Sequence, residues 1–231
     1  MVTIDINHEV YSWGRAYNGQ LGLRDCKNVQ WTPKKVHIKK DPRLQDEDQP
    51  TRFAMVACGQ KFSMLLAMNG MMWFSGDKKQ VGLYREEPRL GGQRSKLELE
   101  EETKSFQYTF MPFTDPHKLR LQLENQVKFV ACNFNSRQHL AINAVNELYE
   151  FGEDNPMHKQ RPVTYTAEGV GGQEVEKEAG SNKYVLADCG ANFSAVVAQQ
   201  RLPFAWGEFK NGKLGIALDR AVSSMHQYNR K

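Results

Sequence analysis

The chain has 231 residues, a formal net charge of +4 and a hydrophobic fraction of 40%. That length holds one or two domains of ~100–200 residues each, and so small a net charge without a dense basic patch disfavours nucleic acid as the main partner. The longest apolar stretch, Met64 to Met68, is too short to span a bilayer, and the N-terminus is read as having neither the basic start nor the apolar core of a signal peptide.

In chain order, the first apolar run is Val10-Tyr11-Ser12-Trp13-Gly14, followed by the glycine-bracketed loop Asn18-Gly19-Gln20-Leu21-Gly22. A basic cluster, Lys34, Lys35, Lys39 and Lys40, comes next, with Asp46-Glu47-Asp48 as its acidic counterweight; the four lysines are candidate contact residues. Val56-Ala57-Cys58-Gly59 leads to a tight turn. Phe62 to Met68 and Met71-Met72-Trp73-Phe74-Ser75-Gly76 then flank Asn69-Gly70, which predicts a β-hairpin with both turn residues at positive φ. Gln80-Val81-Gly82-Leu83 is a reduced copy of the first glycine loop.

An insertion of about residues 84–126 carries Phe106, Tyr108, Phe110 and Phe113. Their period-two spacing favours an outer strand whose flanks make contacts, and aromatic residues of this kind also anchor interfaces. Val130-Ala131-Cys132-Asn133, Leu140-Ala141-Ile142 and Leu148-Tyr149-Glu150-Phe151-Gly152 repeat the pattern, with Asn155-Pro156 where the glycine loop should be. A second insertion, about 155–183, is rich in Gly and Glu from Thr166 onward and reads as flexible. The last copies are Leu186-Ala187-Asp188-Cys189-Gly190, Ser194 to Val197, Phe204-Ala205-Trp206-Gly207 and Asn211-Gly212-Lys213-Leu214-Gly215.

The aromatic-glycine motifs end at Gly14, Gly76, Gly152 and Gly207, at separations of 62, 76 and 55 residues. The shortest is close to the ~50 residues of one propeller unit, and the longer ones are units carrying inserted loops. Regular short strands with turn signals between them predict an all-β fold, and their repetition predicts β-propeller blades. The units fall at about 9–70, 71–146, 147–200 and an incomplete 201–231, all within one partial propeller domain spanning 1–231.

Cys58, Cys132 and Cys189 take equivalent places in the repeat and are expected as small core residues; Cys26 lies outside it. No C-x-x-C pair occurs, so the expectation is four reduced thiols. None of the six histidines pairs with a Cys or another His at metal-ligand spacing, and His139 reads as a satisfied core residue. Gly207 to Lys213 imitates the glycine spacing of a phosphate-binding loop, but Leu214 replaces the hydroxyl that would hold Mg²⁺, and the repeat itself explains the spacing. There is no nucleophile-elbow motif, and adjacent carboxylates such as Glu100-Glu101-Glu102 read as solvated surface. No catalytic, cofactor-binding or metal-binding residue is assigned.

Taken together, these motifs resemble the regulator of chromosome condensation repeat family. Val10 to Gly14 with Asn18 to Gly22 is similar to the first half of that repeat; Ala57-Cys58-Gly59 through Ser63, and Cys189-Gly190 through Ser194, are similar to the second half. Cys132 keeps the cysteine, but Asn133 replaces the glycine. The resemblance makes Trp13, Gly14, Gly19, Gly22, Cys58, Gly59, Trp73, Gly76, Gly82, Cys132, Gly152, Cys189, Gly190, Trp206, Gly207, Gly212 and Gly215 fold-defining, with Trp13 and Trp206 expected in the core. It implies a seven-bladed propeller, of which about three and a half units are present here. The arc is therefore open, completed by another chain, part of a longer ring, or a small closed ring.

Unpaired terminal strands invite other polypeptides, so protein partners are expected at the blade edges and inserted loops. The preferred function is a non-enzymatic scaffold or assembly subunit. The alternative is an exchange factor or regulator of a small GTPase, by resemblance to the family's founding member; chromatin binding ranks below both. A cytoplasmic location is expected, with cytoskeletal, ciliary and nuclear ones left open.

Overall fold

The computed structural model describes residues 1–26, 28–42, 44, 46, 49–50, 52–83, 106–113, 126–134, 138–153, 155–159, 164–168, 174–178, 183–199, 201 and 203–207, with the backbone alone given for 155–178. Among these, the chain is all-β and forms a series of small antiparallel sheets, as propeller blades do. The first sheet is β1 (Val2–Ile4), β2 (Val10–Arg15) and β3 (Val29–Lys35). The second is β4 (Phe53–Cys58), β5 (Phe62–Ala67), β6 (Met72–Asp77) and β7 (Phe106–Pro112). The third is β8 (Val127–Ala131), β9 (His139–Asn143), β10 (Leu148–Gly152) and β11 (Asn155–Lys159). The fourth is β14 (Tyr184–Cys189), β15 (Phe193–Ala198) and β16 (Pro203–Gly207). Each sheet thus joins the end of one sequence repeat to the start of the next.

One turn recurs in all four sheets just before the aromatic-glycine strand. The amide of residue i+3 donates to the carbonyl of residue i from His8 to Asp5, Gly70 to Ala67, Asn146 to Asn143 and Arg201 to Ala198. The residue at i+3 has positive φ in each case: 63° for His8, 81° for Gly70, 69° for Asn146 and 65° for Arg201. This corrects the two-residue turn expected at Asn69-Gly70. The loop has three residues, and only its last, Gly70, enters the left-handed region. The turn also identifies β1, which sequence reading missed, as the counterpart of β5.

Two further expectations change. Between Lys159 and Lys183, read as flexible, β12 (Thr164–Glu168) and β13 (Glu174–Glu178) pair as an antiparallel ribbon. Asn155–Lys159, placed inside the same insertion, is the outer strand of the third sheet.

The sheets pack face to face in chain order through three apolar layers. Val10, Leu21 and Val36 of the first sheet and its loops meet Leu65, Trp73 and Phe110 of the second. Phe62, Met64, Phe74 and Phe113 meet Val130, Ala141 and Phe151 of the third. Leu140 and Ile142 meet Tyr184, Val196 and Ala198 of the fourth. A strand covered on both faces reads as a continuous apolar run, whereas one covered on a single face alternates. All six residues of β5 and of β6 are buried. In contrast, β15 alternates half-buried and buried along its length, and so does β2 from Val10 to Trp13, the tryptophan being half-buried.

Candidate interaction surfaces

The glycine loops seal one sheet onto the next. After β2 the chain turns through Gly19 and Gly22 and lies over the second sheet. There the Ser75 hydroxyl donates to the Gly19 carbonyl at 2.6 Å. A Cβ on Gly19 would stand 2.4 Å from the Gln107 carbonyl oxygen, and one on Gly22 would stand 2.3 Å from the Phe110 ring, both at positive φ. The loop after β6 does the same for the third sheet. Buried His139 donates from Nε2 to the Gln80 carbonyl at 2.9 Å, its Nδ1 accepts from the Asn133 amide at 2.9 Å, and its ring packs edge-on against Phe62. Burial pushes the His139 pKa down to about 4, against the smaller upward pull of the Gln80 carbonyl, so the ring is neutral and clamps two backbone groups.

Several proposed contact residues are spoken for by this packing. Phe110 and Phe113 are buried, Phe110 between the first two sheets and Phe113 against Phe74 and Phe151, so neither is free to anchor a partner. They sit where β7 closes onto β6, which is why an aromatic strand looked like an interface. Phe106 and Tyr108 remain half-buried. Lys34 and Lys39 are exposed; Lys35 pairs with Glu9, and Lys40 with Asp46 at 2.6 Å, both in the open where ion pairs contribute little. Glu9, hydrogen-bonded to Lys35, holds that ammonium above its ordinary range. The expected fold-defining residues Gly212 and Gly215 lie outside the described residues.

The cysteines also move. Cys58 is exposed and Cys132 and Cys189 are half-buried, because β4, β8 and β14 line a common open cleft of about 620 Å³ with Met55, Phe129 and Leu186. Burial pushes the Cys132 thiol well up, with the neighbouring Cys189 and Cys58 adding to it, and burial raises Cys189 to about 12. Such thiols stay protonated and are poor nucleophiles. Among the described residues no group of three or more His, Cys, Asp or Glu could hold a metal, and no helix is long and apolar enough to cross a membrane.

What stays open lies at the two ends of the stack. Trp13, Ser75 and Phe151 each stand directly before the glycine that ends the motif. Ser75 and Phe151 are fully buried against the preceding sheet, while Trp13 is half-buried and belongs to no core cluster among the described residues. Ser12 is buried and donates to the Leu21 carbonyl on the side of the second sheet, so strand alternation turns Tyr11 and Trp13 to the other face. Trp31 on adjacent β3 is 85% exposed. At the far end, Phe193, Ala195 and Val197 face away from the third sheet and are half-buried. Trp206 is half-buried against the third sheet, so neither terminal tryptophan is the core residue expected; Trp73, three positions before its glycine, is the fully buried one.

Comparison with known proteins places these features. Residues 7–66 match the model of the Regulator of chromosome condensation (RCC1) repeat, a span that runs from β2 through most of β5 and includes the Gly19–Gly22 loop. Two solved propellers overlie nearly the whole chain. Human WBSCR16 does so with a TM-score of 0.64 at 16% identity, over 93% of this chain and 47% of that one. Prp20p from Saccharomyces cerevisiae does so with a TM-score of 0.56 at 16% identity, over 95% and 46%. The chain is a divergent RCC1-repeat propeller of partial size. In sequence it is 24% identical over 210 residues to the human protein named Probable E3 ubiquitin-protein ligase HERC6, covering 90% of this chain and 17% of that one. It thus spans about half of the solved RCC1-type chains and a small part of that much longer relative.

Proposed function

We propose that this RCC1-repeat arc is a protein–protein interaction module whose terminal sheet faces receive other polypeptide surface. The observation that supports it is Trp13. It occupies the position that Ser75 and Phe151 fill at sealed interfaces, yet it lies half-open beside Tyr11 and the exposed Trp31. Aromatic clusters of this kind dominate protein interfaces. The part aligned with HERC6 is a small fraction of that protein, so its named ligase activity is not carried over.

The second reading is regulation of a small GTPase. It draws on the likeness to Prp20p, a protein with binding properties to Gsp1p and histones. Nucleotide-release kinetics on a panel of small GTPases separate the two. The interaction-module reading expects the release rate to stay at its spontaneous value, and catalysed release would replace that reading with the second.

A further inference from the structure

We infer that the partner of the open first sheet is the open fourth sheet of a second copy of this chain, two arcs joining head to tail. The inference rests on the interaction-module reading and adds the identity of the occupant.

The strand registers set the two surfaces in correspondence. Phe62, Met64 and Leu66 lie opposite Gly76, Phe74 and Met72; Phe193, Ala195 and Val197 lie opposite Gly207, Ala205 and Pro203. The first three are the residues on which the third sheet rests, and all are buried. Their counterparts in the fourth sheet are only half-buried, with Ala205 and Pro203 exposed beside them. The fourth sheet therefore presents the kind of face on which a following sheet is laid. The first sheet presents Tyr11 and Trp13, the kind of face that is laid on a preceding sheet.

Side-chain sizes match as well. Where the first and second sheets meet, small Val10 and Ser12 lie on the side of large Trp73, which stands three residues before its glycine. Tyr11 stands three residues before Gly14, and the fourth sheet offers small Ala195, Val197 and Ala205. Large against small is how interlocking faces reach interior packing density. The same-chain interface and the proposed one are thus built alike.

Length agrees. One chain covers 47% and 46% of the two solved propellers, so two copies supply about one such ring. A head-to-tail contact closes into a ring when its rotation fits, and two copies bring eight sheets, within the ~4–8 blades that closed propellers use.

The test is the solution mass of the full chain, with Trp31→Glu on one face and Ala205→Glu on the other; both residues are exposed, so each variant keeps its fold by circular dichroism. The wild type is expected as one discrete species of twice the 26.5 kDa chain mass. Each variant alone should dissociate, its self-affinity falling at least about tenfold. Mixing the two variants should restore pairing, since the unaltered faces of each still fit one another. A monomeric wild type, open-ended polymers, or a dimer indifferent to both variants would overturn the inference. A monomer that leaves GTPase nucleotide release at its spontaneous rate removes self-pairing alone; accelerated release removes the interaction-module reading.

Discussion

The hydroxyl of Ser75 reaches the carbonyl of Gly19, 56 residues earlier, at 2.6 Å and out of contact with water. That bond fixes the glycine loop of one sheet on the surface of the next, and the missing side chain of Gly19 makes the approach possible. Gly19→Ala is expected to cost roughly 2–4 kcal/mol, from a left-handed backbone bearing a Cβ and from collision with the Gln107 carbonyl. Urea denaturation measures it. A loss below about 0.5 kcal/mol would mean that the loop does not bear on the second sheet.

The tryptophans should separate by position. Trp73 is fully buried between the first two sheets, so Trp73→Ala should lose ~3–5 kcal/mol. Trp13→Ala should lose only about 1–2 kcal/mol, because the side chain is already partly in water. Equal losses in paired denaturation curves would show that the Trp13 face is covered within the chain.

Arg201 holds the left-handed turn position that Gly70 takes in the second sheet, at φ 65° against 81°. An L-residue there costs roughly 1–2 kcal/mol, partly offset by the greater unfolded-state freedom of glycine. Arg201→Gly should therefore stabilise the chain by about 0.5–1 kcal/mol, read as a raised melting temperature. A lowered one contradicts the shared turn.

His139 makes stability depend on pH in a defined direction. Its folded pKa, about 4, lies below the ordinary 6.5, so the unfolded chain binds the proton more readily between those values. The neutral ring's contribution is complete above about pH 6.5 and declines as pH falls towards 4, by roughly 3 kcal/mol over that window. His139→Gln, which can still donate and accept, should flatten that part of the stability profile. An unchanged slope would assign it to other groups.

The blades were legible because aromatic residues and glycine recur at spacings no single site explains, and β5 announced burial on both faces by its unbroken apolar run. Three things were not. The shared turn is hidden because His8, Gly70, Asn146 and Arg201 meet one backbone requirement with four side chains. The exposure of Cys58 is hidden because a strand lining a cleft has the same small, apolar composition as one in a core. The open faces are hidden because Trp13 looks like Trp73 in sequence, and only the neighbouring sheet decides which is covered.

Site-specific photo-crosslinking from position 31 probes the open first-sheet face most directly, with exposed Met68 in the second sheet as the internal comparison. The account predicts a covalent protein adduct from position 31 and none from position 68 under native conditions. Adducts from both positions alike, or from neither, would contradict a terminal face built to receive another polypeptide.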